Sequence, residues 1–195
     1  MEIKGTAVQN TPDYIKEFYP SRFFEWLQSL PPSSKRIFEQ PIYSTGWYNL
    51  VNSVIIPTQK AGDLFFDGNH KNAAWEIGRY GAEVTLKGVY KIFLKVCCPH
   101  YLLSKASCIY ATYYKPSDIK VLDCTDKSCV LQLAQFKQDE LLIMERIAGW
   151  LTQTLEITQK KAQSVDILTE ALNGGFISTI TAKWDNAPMT KPHDS

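Results

Sequence analysis

Histidine and cysteine are the side chains in this sequence best equipped for ligation or redox chemistry, and there are three of the first and five of the second. An imidazole can hold a metal or a haem iron, and a thiolate can hold a soft metal. His100 follows Pro99, and the vicinal pair Cys97-Cys98 stands just before it. That cluster offers a ligand set on one reading, and a surface or capping histidine beside buried thiols on the other. A structural zinc site needs a closed tetrahedral set. The spacing of Cys97, Cys98, Cys108, Cys124 and Cys129 suggests none. His70 lies one helical turn before Ala74 and is the better pocket candidate, whereas His193 sits in a polar terminal stretch. Glu76 and Glu83 could be taken as paired carboxylates, but they fall on the polar side of their helix, where solvation is the simpler reading. There is no Gly-x-Ser-x-Gly elbow, P-loop, dinucleotide fingerprint or His-Glu-x-x-His. No catalytic signature is present, and the reading leans away from an enzyme.

The element that would position such a site is the helical stretch Leu64 to Val96. On 3.6-residue geometry Ala74, Gly78, Gly81, Thr85 and Gly88 share one narrow arc, and His70 joins it if the helix reaches back that far. Each glycine costs a helix about 1 kcal/mol relative to alanine, so something must approach the bare backbone closely. Three readings stay open: tight packing against a second helix, a ligand lying in the small-residue groove, or a break between two helices. On the second reading Ala74, Gly78, Gly81, Thr85, Gly88 and His70 are the candidate ligand-binding residues.

The rest of the chain reads as one α+β domain over residues 1–186, with a polar disordered tail at 187–195. Residues 1–11 read as a loose lead-in. A helix is predicted from Pro12 to Leu30, with Pro20 able to split it, and a second from Gly46 to Pro57. Pro99 to Cys108 has helical character. Ile109 to Lys115, rich in tyrosine, reads as strand, and Ile119–Cys124 and Ser128–Ala134 alternate as an antiparallel meander. Asp139 looks like the N-cap of a helix Glu140 to Ile157, and Asn173-Gly174-Gly175 joins two last strands, 162–172 and 176–184. The fold class expected is therefore a helical N-terminal half and an antiparallel sheet in the C-terminal half, with one long helix packed on it. About five strands are expected, all after residue 108.

Composition excludes some partners. The net charge is +1 and the basic residues are scattered, as in Lys87, Lys91 and Lys95, so nucleic acid is a poor fit. No apolar run approaches the roughly 20 residues of a membrane span. The N-terminus carries no signal-peptide core, which favours a cytoplasmic, reducing location and five free thiols.

The order of these elements resembles the ligand-binding domain shared by haem–nitric-oxide (H-NOX) proteins, 4-vinyl reductase domains and TRAPP vesicle-tethering subunits. The local residues are nearest to bacterial members, including a family of myxobacterial paralogues. The stretches that carry the resemblance are Tyr19 to Leu27, Ile77 to Gly81, Pro99 to Tyr114, Ile147 to Leu151 and Phe176 to Trp184. The resemblance implies a binding or sensor module for a small apolar ligand, either an acyl chain or a tetrapyrrole-like molecule, or for a protein partner such as a second copy. Two alternatives stand beside it: an enzyme or accessory protein acting on a tetrapyrrole, and an assembly subunit without ligand. H-NOX proteins carry a Tyr-x-Ser-x-Arg haem-propionate motif near the place of Tyr113 to Ile119. Here Tyr113-Tyr114-Lys115-Pro116-Ser117-Asp118 has no arginine, and no histidine stands at a clearly matching place, so haem is disfavoured. The final hairpin has no cysteine to hold a metal, as many 4-vinyl reductase domains do.

Overall fold

The computed structural model describes residues 1–87, 106–158, 160–172 and 174–186. The expectations for Gly88, Lys91, Lys95, Cys97, Cys98, Pro99, His100 and the tail at 187–195 lie outside them.

The N-terminal half is helical. Helix α1 spans Gly5–Phe18, a 3-10 turn follows at Pro20–Arg22, α2 is Phe23–Ser29 and α3 is Pro32–Phe38. A π-helical turn at Val51–Ile55 runs into α4, Ile56–Phe65, and α5 is His70–Lys87. Pro20 does split the first predicted helix. The lead-in expected over residues 1–11 is instead part of the fold, because Val8, Thr11 and Ile15 continue a buried helical stripe back towards Gly5. Between α4 and α5 the chain turns through Asp67 and Gly68, both at positive φ, so the long predicted helix is two.

Two details differ from expectation here. A small sheet is built from β1 (Glu2–Lys4), β2 (Trp47–Asn49) and β3 (Tyr114–Lys115) in the order β2-β1-β3, so strands do occur before residue 108. Ile3 pairs with Tyr48 on one side and Tyr114 on the other. Strands of two or three residues are too short to show alternation, and only long-range pairing creates them. Of the predicted strand Ile109 to Lys115 only Tyr114–Lys115 is strand; Ile109 to Ala111 belong to helix α6 (Ala106–Ala111), and Thr112 and Tyr113 form a turn. Tyr110 and Tyr114, four apart, stack at 5.5 Å and are buried, so packing overrides the strand preference of tyrosine.

The C-terminal half supplies strands β4 (Ile119–Cys124), β5 (Ser128–Phe136), β6 (Lys160–Leu172) and β7 (Gly175–Asn186). All pairs are antiparallel, in the order β4-β5-β7-β6. Leu172 pairs with Gly175, and Gly174 takes the left-handed φ of +93° that a two-residue hairpin turn requires. Cys129, Leu131 and Leu133 on β5 and Ile180, Ala182 and Trp184 on β7 point to one buried face by strict alternation. Helix α7, Ile143–Ile157, packs across that face. Its Ile143, Ile147, Leu151 and Leu155 recur every fourth residue, and all are buried. Asp139 is not the cap of α7, because a 3-10 turn at Gln138–Glu140 precedes that helix. The buried Glu140 carboxylate accepts from the Lys137 backbone N–H at 3.0 Å and from the Met1 amino group at 2.8 Å.

Candidate functional site

Helices α5 and α7 cross with their backbones in contact, and glycines make this feasible. A Cβ on Gly78 would lie 2.0 Å from the Arg146 carbonyl oxygen, and one on Gly149 would lie 2.1 Å from the Trp75 carbonyl oxygen. No side chain fits at either position. Gly81 differs: a Cβ there would meet the Asn10 amide nitrogen of α1 at 2.5 Å. On either side of the crossing, Arg79 forms a two-pronged ion pair with Glu156 at 2.7 and 3.1 Å, and Lys71 pairs with Glu145 at 3.2 Å.

Beside this crossing α1, α5, α6 and α7 line a partly open cavity of about 60 Å³. From α1 it is lined by Ala7 and Asn10, and from α5 by Gly78 and Thr85. Ile109, Tyr110, Tyr113 and Tyr114 come from α6 and the chain that leads into β3, and Arg146, Ile147 and Trp150 come from α7. The wall is thus aromatic and aliphatic with a few polar groups, the usual composition of a small-molecule site.

Arg146 is the unusual member. Its residue is 6% exposed, and its guanidinium donates to Thr11 Oγ1 at 2.9 Å and to the Ala7 carbonyl at 2.8 Å. Both acceptors are neutral. Among the described residues no carboxylate pairs with it. Burial pulls its pKa down to about 10, partly opposed by the nearby Tyr114. Burial in turn pushes the Tyr114 phenol up to about 12 and Tyr110 well above its ordinary value.

Of the six residues singled out in the sequence, Gly78 and Thr85 line the cavity. Gly81 is buried one layer behind it, against Asn10, and Ala74 is buried on the same helix. His70 caps the far end of α5, where its Nε2 lies 2.6 Å from Asp63 Oδ1 and its backbone packs on Gly62. That contact holds the Asp63 carboxyl below the usual range. Arg146, Asn10 and the three tyrosines escape sequence reasoning. The signal for Arg146 is that it stands three residues before Gly149, on the side of α7 that meets another helix rather than solvent.

Among the described residues no group of three His, Cys, Asp or Glu side chains could hold a metal ion. Cys108, Cys124 and Cys129 are thiols rather than disulfides, with Cys124 opposite Cys129 across the β4–β5 hairpin. Glu76 and Glu83 are half-buried and Asp166 is exposed.

No family model matches the sequence, and no curated protein matches it. Solved structures do match. The Fe(II) unliganded H-NOX protein of K. algicida superposes with a TM-score of 0.67 at 15% identity, over 96% of this chain and all of that one. A mutant of the T. tengcongensis H-NOX gives 0.68 at 12% identity, over 94% of this chain and 98% of the other. An oxygen-binding H-NOX domain related to soluble guanylate cyclases, in its oxygen complex, gives 0.68 at 12% identity over 98% and 100%. The chain has the H-NOX fold. At these identities the likeness fixes the H-NOX-like architecture alone. No helix among the described residues is long and apolar enough to cross a membrane.

Proposed function

We propose that this H-NOX-like chain is a non-catalytic binding or sensor module that holds a small ligand between α1, α5, α6 and α7. The observation that carries this reading is the cavity beside the α5–α7 crossing, in a fold whose solved members include an oxygen complex. The cavity wall joins an apolar, aromatic surface, which suits the apolar body of a ligand, to one buried cation. Among the described residues no nucleophile–base pair lies in that wall, which supports binding rather than turnover.

The described residues do not fit a haem. No described histidine or cysteine lines the cavity, and the described His70 is engaged with Asp63 at the far end of α5. The cavity is also well below the roughly 150 Å³ of an engineered protein cavity that admits benzene, so a porphyrin would require the helices to separate. No step is therefore assigned to haem.

Native and denaturing mass spectrometry of freshly purified protein, with its visible spectrum, tests the proposal. A colourless sample with a native mass in excess of the chain, lost on denaturation, is the expected result. A bare chain mass after purification without dialysis, unchanged in native masses when small-molecule extracts are added, would refute it. Strong visible absorbance would replace it with a tetrapyrrole reading.

A further inference from the structure

The proposed cavity contains a feature that a purely apolar ligand leaves unexplained. Arg146 is nine-tenths buried, and the groups it bonds, Thr11 Oγ1 and the Ala7 carbonyl, carry no charge. Taking a guanidinium out of water is costly unless an anion accompanies it, and its fork of N–H donors can meet a carboxylate with two parallel bonds. Arg146, its bonded neighbour Ala7 and its electrostatic neighbour Tyr114 all lie on the cavity wall. An anion entering the cavity would meet the guanidinium without displacing an existing charge partner among the described residues.

Size narrows the class. Benzene, with six non-hydrogen atoms, enters a cavity of roughly 150 Å³, so on that scale 60 Å³ takes about two or three, a carboxylate group. The cavity is partly open, so a monocarboxylate of two to four carbons seats its carboxylate inside and its short alkyl body towards the mouth. Ile109, Ile147 and Trp150 provide apolar surface for a short alkyl body, and Thr85 on the same wall carries a hydroxyl. We infer that the cavity is a binding site for a compact monocarboxylate whose carboxylate pairs with Arg146. This rests on the proposed function and specifies the ligand class of the same site.

Isothermal titration of the full chain with sodium acetate, propionate and butyrate tests the inference, with sodium chloride and sodium sulfate at matched ionic strength as controls. The expected result is saturable, roughly equimolar binding of at least one of the three, with no comparable heat from chloride or sulfate. Arg146→Gln should weaken it at least tenfold. Thr85→Leu leaves the guanidinium in place but fills the cavity and should do the same, so the test stands even if Arg146→Gln fails to fold. Hexanoate should bind no better than butyrate. Absence of saturable binding to the wild-type chain would overturn the inference, as would equal binding of sulfate or undiminished binding by folded variants. Tenfold tighter binding of hexanoate would overturn the size assignment. A ligand mass seen by native spectrometry together with no carboxylate binding would sink this inference and leave the binding-module reading standing.

Discussion

Towards the sheet, α7 presents Ile143, Leu151 and Leu155, which join Leu131, Leu133, Ile180 and Trp184 in one apolar core. Towards α1 and α5 the same helix presents Gly149, bare against the Trp75 carbonyl, and Arg146, buried on neutral acceptors. The first side follows the ordinary rule that buried area stabilises in proportion to its extent. The second side combines two features that lower stability in isolation: helical glycines and a buried cation lacking a described counter-ion. The glycines are explained by the backbone contact they permit. Arg146 gains only two hydrogen bonds to neutral acceptors, and that difference is the observation behind the ligand site proposed on this side of α7.

Substitution should separate the two sides sharply. Gly78→Leu forces a branched side chain onto the Arg146 backbone and should cost about 3 kcal/mol or more, and even Gly78→Ala should destabilise. Chemical denaturation measures both. Gly81→Ala serves as the control: it meets only the flexible end of Asn10, so its gain in helix propensity should leave it near neutral. A stabilised Gly78→Ala would show that the crossing is looser than described. On the sheet side, Leu131→Ala should cost about 3 kcal/mol by leaving a cavity in a fully buried position.

The phenols sharpen the contrast through pH. The folded pKa of Tyr114, about 12, is raised above its unfolded value near 10. The folded state therefore retains a proton that the unfolded state releases, and stability is present below pH 10 and lost as pH rises towards 12. At pH 11 the wild-type chain should have lost about 1 kcal/mol relative to Tyr114→Phe, each compared with its own value at pH 9. Parallel curves for the two proteins would contradict the burial of this phenol. The smallest effect belongs to the surface: Glu156→Gln breaks a partly exposed ion pair with Arg79 and should cost less than about 1 kcal/mol, diminishing with salt.

The apolar period of α7, the alternation of β5 and β7 and the Asn-Gly-Gly turn are written in local residue order, which is why the antiparallel sheet and its covering helix were legible in the sequence. The short strands Glu2–Lys4 and Trp47–Asn49 were not, because their pairing with each other and with Tyr114–Lys115 joins segments far apart in the chain. The glycine arc foretold a close approach at Gly78 but could not say that the approaching body is the Arg146–Gly149 backbone. Local pattern likewise assigned Ile109 to Lys115 to a strand, whereas α6 and the stacked Tyr110 and Tyr114 turn that segment into a cavity wall. Arg146 was the least legible residue of all. A charged side chain in an amphipathic helix reads as solvent-facing until the neighbouring helices are placed around it.

The stability of Arg146→Met tests the central claim most directly. If Arg146 is kept for a ligand, removing it from ligand-free protein discards a buried charge along with two hydrogen bonds, and the unfolding free energy should stay within about 1 kcal/mol of wild type. If Arg146 is instead a structural clamp between α7 and α1, the same substitution should cost more than about 3 kcal/mol, and that result would contradict the account.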